Sequence, residues 1–276
     1  MQVIAADIGN SSTKVAVEHA AHDNHWRLET IIRGDQPVEI DFAPLDLDTR
    51  PAFWSVSSVN QRRQQHLADW VAERRPDDTF HIITDQEVEL GTRVQSRTQL
   101  GRDRLIAAWQ AVQLNDGGPV VVVDAGTAVT IDLVDADNQF CGGLIFPGAA
   151  SMLNTLAAQT DALPDLSRVI GAELREKLFA EYGRSINPLP THGTSTEMAM
   201  LLGVYHAQVS AIRHGVQSLS QLSGNLPDVY VTGGGIDDLL DWLPDNWQFV
   251  PDLVLQGAYH IGVQRVQRGL NGLRDG

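Results

Sequence analysis

Four consecutive valines, Val120 to Val123, run straight into Asp124-Ala125-Gly126-Thr127 and then into a second β-branched run, Ala128 to Val134. An apolar run this short, bounded by turn residues, predicts a strand buried on both faces of a sheet. It also predicts that Asp124 sits at the strand's end, beside a tight turn through Gly126. A carboxylate there is badly placed for a core. It is well placed to meet a metal-bound phosphate, with the turn's backbone N–H groups and the Thr127 hydroxyl as donors.

The chain opens on the same grammar. Gln2 to Ala6 is an apolar strand that ends in Asp7-Ile8-Gly9, followed by Asn10, Ser11 and Ser12 and then the strand of Val15 to Val17. A third apolar strand, Val229 to Thr232, runs into Gly233-Gly234-Gly235. Two Asp-x-Gly hairpins and a glycine turn predict two similar half-domains, each offering a phosphate loop to a shared nucleotide cleft. Asn115-Asp116-Gly117-Gly118-Pro119 is the best linker, so the expected domains are 1–116 and 117–276.

Between these landmarks strands alternate with helices, an α/β pattern. Strands are expected over 53–59, 80–84, 120–124, 127–134, 139–145 and 228–232. Helices are expected over 60–75, from the Gly101-Arg102-Asp103-Arg104 tetrad onward, and over about 149–159, 167–182, 196–220 and 258–270. The stretch 19–48 reads as polar surface loop, with turns at 33–35 and 46–48. Trp109 and Trp242 fall at helical positions and read as packing residues.

The formal net charge of −15 argues against nucleic acid as a partner and requires a phosphate site to bring its own cation. One cysteine, Cys141, excludes an intrachain disulfide framework. Met1 leads directly into a strand and no apolar run reaches membrane-spanning length, so no membrane association and a cytoplasmic location are expected. There is no Gly-x-x-x-x-Gly-Lys-Ser/Thr loop, no His-Glu-x-x-His and no Cys-x-x-Cys pair. His192 and His206 read as surface or core residues.

In order along nearly the whole chain, several motifs resemble the type III pantothenate kinases. They are Asp7-Ile8-Gly9-Asn10-Ser11 with Lys14, the tetrad at 101–104, Asp124-Ala125-Gly126-Thr127-Ala128, and Gly142-Gly143-Leu144-Ile145-Phe146-Pro147-Gly148. Thr160 to Pro164, Gly193 to Met200, the glycine turn at 232–235 and Gln256-Gly257-Ala258-Tyr259-His260 extend the match. The resemblance implies two ribonuclease-H-like domains of the actin-like ATPase superfamily, with the nucleotide in the cleft between them. The implied reaction is ATP-dependent phosphorylation of pantothenate at its 4′-hydroxyl, the first step of coenzyme A biosynthesis.

Carried over residue by residue, Asp7 would hold magnesium or its waters, and Asp124 would shape the metal and phosphate environment. Gly9, Asn10 and Ser11, with Lys14, would form the first phosphate loop, and Gly126 and Thr127 the second. Ser11 stands where the family usually has Thr. Asp103 resembles the general base. Gly101, Arg102 and Arg104 would line the pantothenate site, and Thr196 resembles a residue that reaches it from the neighbouring subunit of a homodimer. The resemblance also implies a monovalent cation, potassium or ammonium, whose ligands no residue pattern identifies.

Two departures stand out. Val94-Gln95-Ser96-Arg97 replaces the family's usual Tyr-x-Asn-Pro, whose tyrosine lines the pantothenate pocket, so that wall is built differently here. Residues 182–190 read as extra loop. Two other readings stay open: a regulatory relative without good kinase activity, and a kinase of another small alcohol.

Overall fold

The computed structural model describes residues 1–18, 26–33, 50–183 and 186–272. They form two compact units: Met1–Gln113 with Asp252–Gly276, and Leu114–Pro251. Among the described residues no helix is long and apolar enough to cross a membrane.

The first unit opens with β1 (Gln2–Ile8) and β2 (Ser12–Glu18), an antiparallel pair with Asp7 directly opposite Lys14. β3 (Trp26–Arg33) pairs antiparallel with β2. β4 (Ala52–Ser58) lies parallel to β1, and β5 (Thr79–Ile82) parallel to β4. The sheet order is therefore β3-β2-β1-β4-β5. Between β4 and β5 runs α1 (Gln61–Arg74), whose first turn is capped by the Asn60 side chain accepting from Arg63 N at 3.1 Å. Such a cap is worth about 1 kcal/mol. The short β6 (Gly91–Thr92) and α2 (Arg102–Leu114) follow.

The core of this unit is Ile4, Ala6, Ile8, Val15, Val17, Trp54, Val56, Leu67 and Val71. Trp54 is completely enclosed, yet its Nε1 donates to the Asp78 carboxylate at 2.8 Å, so the ring is buried without orphaning its polar atom.

The second unit repeats that plan. β7 (Val120–Ala125), β8 (Ala128–Val134) and β9 (Gln139–Pro147) form an antiparallel meander. β10 (Asp228–Thr232) is parallel to β7 and β11 (Gln248–Phe249) is parallel to β10. Its strands run β11-β10-β7-β8-β9, the same arrangement as the first unit with β7 in the place of β1. Both units thus have the ribonuclease-H-like order, and each Asp-x-Gly hairpin occupies the same place in its own sheet. The helices of the second unit are α3 (Ala149–Ala158), α4 (Ala172–Tyr182) and α5 (Thr196–Ser223). The four valines are buried, at 0–2% exposure, as a central strand requires.

The expected domains differ from the observed units in two places: the boundary falls after Gln113 rather than after 116, and the C-terminal helix changes sides. α6 (Leu253–Gly272) packs on β1 and β4, so the last 25 residues, grouped above with the second domain, belong to the first unit. Gly262 is the reason it can. A Cβ there would lie 2.6 Å from Ser55 Cβ and 2.9 Å from Val3 Cγ1, closer than real side chains approach.

Several elements depart from expectation, among them the two-residue strands β6 and β11, which no sequence pattern marked. β3 lies in the stretch read as loop: its own sequence, Trp26-Arg27-Leu28-Glu29-Thr30-Ile31-Ile32, suits a strand, but the polar, turn-rich residues before Trp26 and after Arg33 dominate the reading of 19–48. The turns expected at 34–35 and 46–48 lie outside the described residues. α4 starts at Ala172 rather than 167: Gly171 adopts φ 60° and gives its N–H to both oxygens of Asp238, at 2.8 and 3.0 Å. α6 starts at Leu253 rather than 258.

Candidate active site

In the first unit, Asp7 lies near the end of β1 and is half-buried, whereas Asn10 and Ser11 are exposed in the turn. The turn is closed by Gly9 N donating to Ser12 O at 2.9 Å. Lys14, directly across the ladder from Asp7, holds its Nζ 2.6 Å from Asp252 Oδ1. Asp252 begins the approach to α6 in the left-handed backbone region, φ 55°, which a non-glycine residue adopts at a cost of about 1–2 kcal/mol. Two side chains only 24% and 18% exposed form this pair, so water screens it less than a surface salt bridge. Asp252 carried no sequence signal: it is 238 residues from Lys14.

The tetrad lies at the start of α2, with all four residues half-buried. Asp103 sits in the first turn, where a carboxylate is favoured by the helix dipole. Its Oδ1 accepts from Arg104 N at 2.9 Å, and a Cβ on Gly101 would come within 2.6 Å of that same oxygen. Gly101 therefore leaves open the space into which the Asp103 carboxylate folds. Arg102 Nε reaches Asp85 Oδ1 at 3.5 Å.

The second unit carries Asp124, Gly126, Thr127 and Thr196. Asp124 is half-buried near the end of β7, while Gly126 and Thr127 are exposed in the β7–β8 turn, which closes with Gly126 N to Ala128 O at 3.0 Å. Two further glycine turns brace it. Gly148 N donates to Thr127 O at 2.9 Å and Ser151 Oγ donates to the same carbonyl at 2.7 Å. From the end of β10, Gly235 N donates to Ala125 O at 2.8 Å, and Gly233 (φ 100°) leaves no room for a Cβ, which would fall 2.4 Å from Asp124 Oδ1. The glycine turn that follows β10 therefore walls the β7–β8 turn. The buried Gln208, whose Nε2 donates to Pro147 O at 2.8 Å, fixes the chain just before Gly148. Nothing in the sequence marked Gln208 or Ser151.

Thr196 is the exposed first residue of α5. Its neighbours are structural: Ser195 caps the helix by accepting from Met198 N at 3.2 Å, and Glu197 pairs with Lys177 at 2.6 Å. His206 bonds Pro190 O at 2.8 Å, and Trp109 and Trp242 are buried, as packing residues should be.

Among the described residues no three His, Cys, Asp or Glu side chains converge as a protein-built metal cage. Asp7 and Asp124 offer a carboxylate each. A single carboxylate at a turn of this kind suits magnesium, which keeps several waters and is commonly held by one or two carboxylates together with substrate phosphates.

A family model described as type III pantothenate kinase matches residues 3–218. A type III pantothenate kinase of Alkalilimnicola ehrlichii is 31% identical over 257 residues, covering 92% of this chain and 95% of the relative. One from Methylibium petroleiphilum is 32% identical over 280 residues, covering 96% and 100%. Among solved structures, a Campylobacter jejuni protein described as a Baf family transcriptional activator shares the fold, with TM-score 0.56, 20% identity and coverage of 96% of this chain and 99% of that one.

Proposed function

The chain belongs to the type III pantothenate kinase family, and from that premise we propose that it transfers the γ-phosphoryl group of ATP to the 4′-hydroxyl of pantothenate. The observation that carries this reading is the pair of equivalent Asp-x-Gly hairpins at the heart of two like sheets, with a first-turn aspartate, Asp103, beside two arginines. Phosphoryl transfer needs little covalent chemistry from a protein. It needs phosphates held in line, charge neutralised, and a base at the attacking oxygen.

Backbone N–H groups at Asn10, Ser11 and Thr127 would donate to phosphate oxygens, Gly9 and Gly126, whose own N–H groups close the turns, would let phosphate approach the main chain, and Lys14 would supply a point charge. Asp7, assisted by Asp124, would hold magnesium, which when bound neutralises the phosphate oxygens. Asp103 would take the hydroxyl proton as the oxygen attacks phosphorus, while the bond from the γ-phosphorus to the bridging oxygen breaks and ADP leaves. Arg102 and Arg104, with the open backbone at Gly101, would bind the polar groups of pantothenate. Thr196 would serve a site on the neighbouring subunit of a homodimer, and potassium or ammonium would act as a further cofactor. The domains that do this are the two compact units, in a cytoplasmic enzyme.

The test is ADP release by purified protein with ATP, magnesium and potassium, with and without pantothenate. The expected result is pantothenate-dependent ADP release with one phosphate added to the product by mass. Asp103→Asn should fold normally and lose roughly 10²- to 10⁴-fold in turnover, the usual range for a general base. ADP release that ignores pantothenate but responds to another alcohol would reassign the acceptor. No turnover in a folded, ATP-binding protein would favour the regulatory reading.

A further inference from the structure

The stretch that departs from the family pattern contains a side chain with an unusual set of partners. Arg97 begins a single 3₁₀ turn, 97–99, just before the tetrad. Its Nη2 donates to Asp85 O and to Val88 O, each at 2.7 Å, and its Nη1 to Leu90 O. One guanidinium thus serves three carbonyls of the 85–90 loop. Val88 and Leu90 are buried, so the loop is seated on the unit and not merely draped over it.

The same loop is gripped a second time. Asp85, whose carbonyl receives Arg97, extends its carboxylate to Arg102 at 3.5 Å. The chain turns between the two arginines, with Leu100 N donating to Arg97 O at 3.1 Å. On the loop's far side Glu87 meets His81 Nε2 at 2.9 Å, Thr84 N at 2.8 Å and Arg265 of α6. The base that the reaction needs therefore rides on a helix start whose preceding turn is tied to a loop that is itself tied to β5 and α6.

We infer that Arg97 is a positioning residue for the acceptor side of this site, holding the 85–90 loop and, through Asp85 and Arg102, the backbone that presents Asp103. The inference rests on the kinase reading above. Where the family pattern fixes this point of the chain with a prolyl ring, which locks φ covalently, this chain fixes it with a planar fork of donors. Only arginine can span three carbonyls in this way. Lysine offers a compact ammonium without the fork.

The experiment compares wild type, Arg97→Ala and Arg97→Lys by steady-state kinetics with each substrate varied, and by hydrogen exchange of the backbone amides. For Arg97→Ala, kcat/KM for pantothenate is expected to fall by about tenfold or more, since small misplacements at a reacting centre are costly. The KM for ATP should stay within about twofold, and exchange should quicken only over 84–104. Arg97→Lys should lie between the two, and carries the test alone if the alanine variant does not fold. A simple loss of stability would shift both substrates together, and that result, or an unmoved pantothenate kcat/KM, overturns the inference. Slow exchange over 84–104 in the alanine variant overturns it independently of any turnover. Wild type that ignores pantothenate overturns the kinase reading instead, and the exchange measurement still reports whether Arg97 holds the loop.

Discussion

The two Asp-x-Gly hairpins share one sequence grammar and one place in equivalent sheets, yet they are held differently. The first depends on charge: its turn closes on itself through Gly9 and Ser12, and its second strand is anchored by Lys14 to Asp252. The second depends on backbone. Its turn receives N–H groups from Gly148 and Gly235 and leaves no space for a Cβ at Gly148 or Gly233. A salt bridge can be exchanged for a phosphate contact without moving the main chain, whereas a glycine-packed turn cannot move without losing several hydrogen bonds at once. On the kinase reading proposed above, the first hairpin would respond to the nucleotide and the second would serve as a fixed template.

The sharpest way to break this contrast is to add one carbon to the fixed hairpin. A Cβ on Gly148 would lie 2.0 Å from Gly126 O, and one on Gly233 would lie 2.4 Å from Ala125 O at φ 100°. Neither obstacle is the end of a flexible side chain, so the β7–β8 turn itself must shift. Gly148→Ala and Gly233→Ala should each cost about 1–3 kcal/mol of stability, as overpacking does. Turnover should fall roughly hundredfold, because a displacement near 1 Å at a positioning element has that effect. Thermal melts and ADP-release assays read the two effects separately. Unchanged turnover in either variant would mean that the turn is not the template described here.

The charge-held hairpin should fail in a different variable. Lys14→Met removes one charge-assisted contact, about 1.5–3 kcal/mol, so KM for ATP should rise roughly ten- to hundredfold, with a fall in melting from the unpaired Asp252 that is smaller than that of the glycine variants. Asp252→Asn keeps a residue that tolerates φ 55° and removes only the charge. Its effect on KM should be smaller, and the double variant should resemble Lys14→Met, because Asp252 acts through Lys14. Additive losses would separate the two residues.

A milder test uses pH, since ion pairs titrate and glycine contacts do not. Burial would push the Glu87 carboxyl up, but the Thr84 backbone and hydroxyl donors and the His81 ring outweigh it and hold the group below its ordinary value of 4.5. A depressed carboxylate contributes stability above its unfolded value, lost as pH falls through the folded one. The 84–90 loop should therefore loosen below about pH 4.5, seen as faster exchange there, and Glu87→Gln should abolish that pH dependence. Loosening in the Gly148 and Gly233 region over the same interval would break the contrast.

How much of this was legible in the sequence follows from the same physics. The strand-turn-strand units were readable because burial on both faces demands continuous apolar runs, and glycine marks the turns. The motif residues were placed where expected at the ends of β1 and β7 and at the start of α2. Long-range partners were not readable. Nothing local links Lys14 to Asp252, Gln208 to Pro147, or Arg97 to the carbonyls of 85–90. α6 was placed in the wrong half for the same reason: its contacts with β1 and β4 are set by Gly262 and its neighbours in three dimensions, while the sequence shows only that it follows the second half.

The smallest effect should come from Gly9→Ala, and it isolates what the first turn's glycine is for. A Cβ there would meet nothing nearer than Ser12 O at 3.4 Å, an ordinary contact, and Gly9 is not among the glycines in the left-handed region. The fold therefore does not require glycine at this position, and the melting midpoint should stay within about 2 °C of wild type. A phosphate approaching the backbone would feel the added methyl even though the protein does not, so KM for ATP should rise several-fold while kcat at saturation holds. A melting loss as large as that of Gly148→Ala would show that the first hairpin is as tightly built as the second. An unmoved KM would show that phosphate does not come to Gly9, which would leave Asp7, Asn10, Ser11 and Lys14 as the proposed nucleotide contacts of that hairpin.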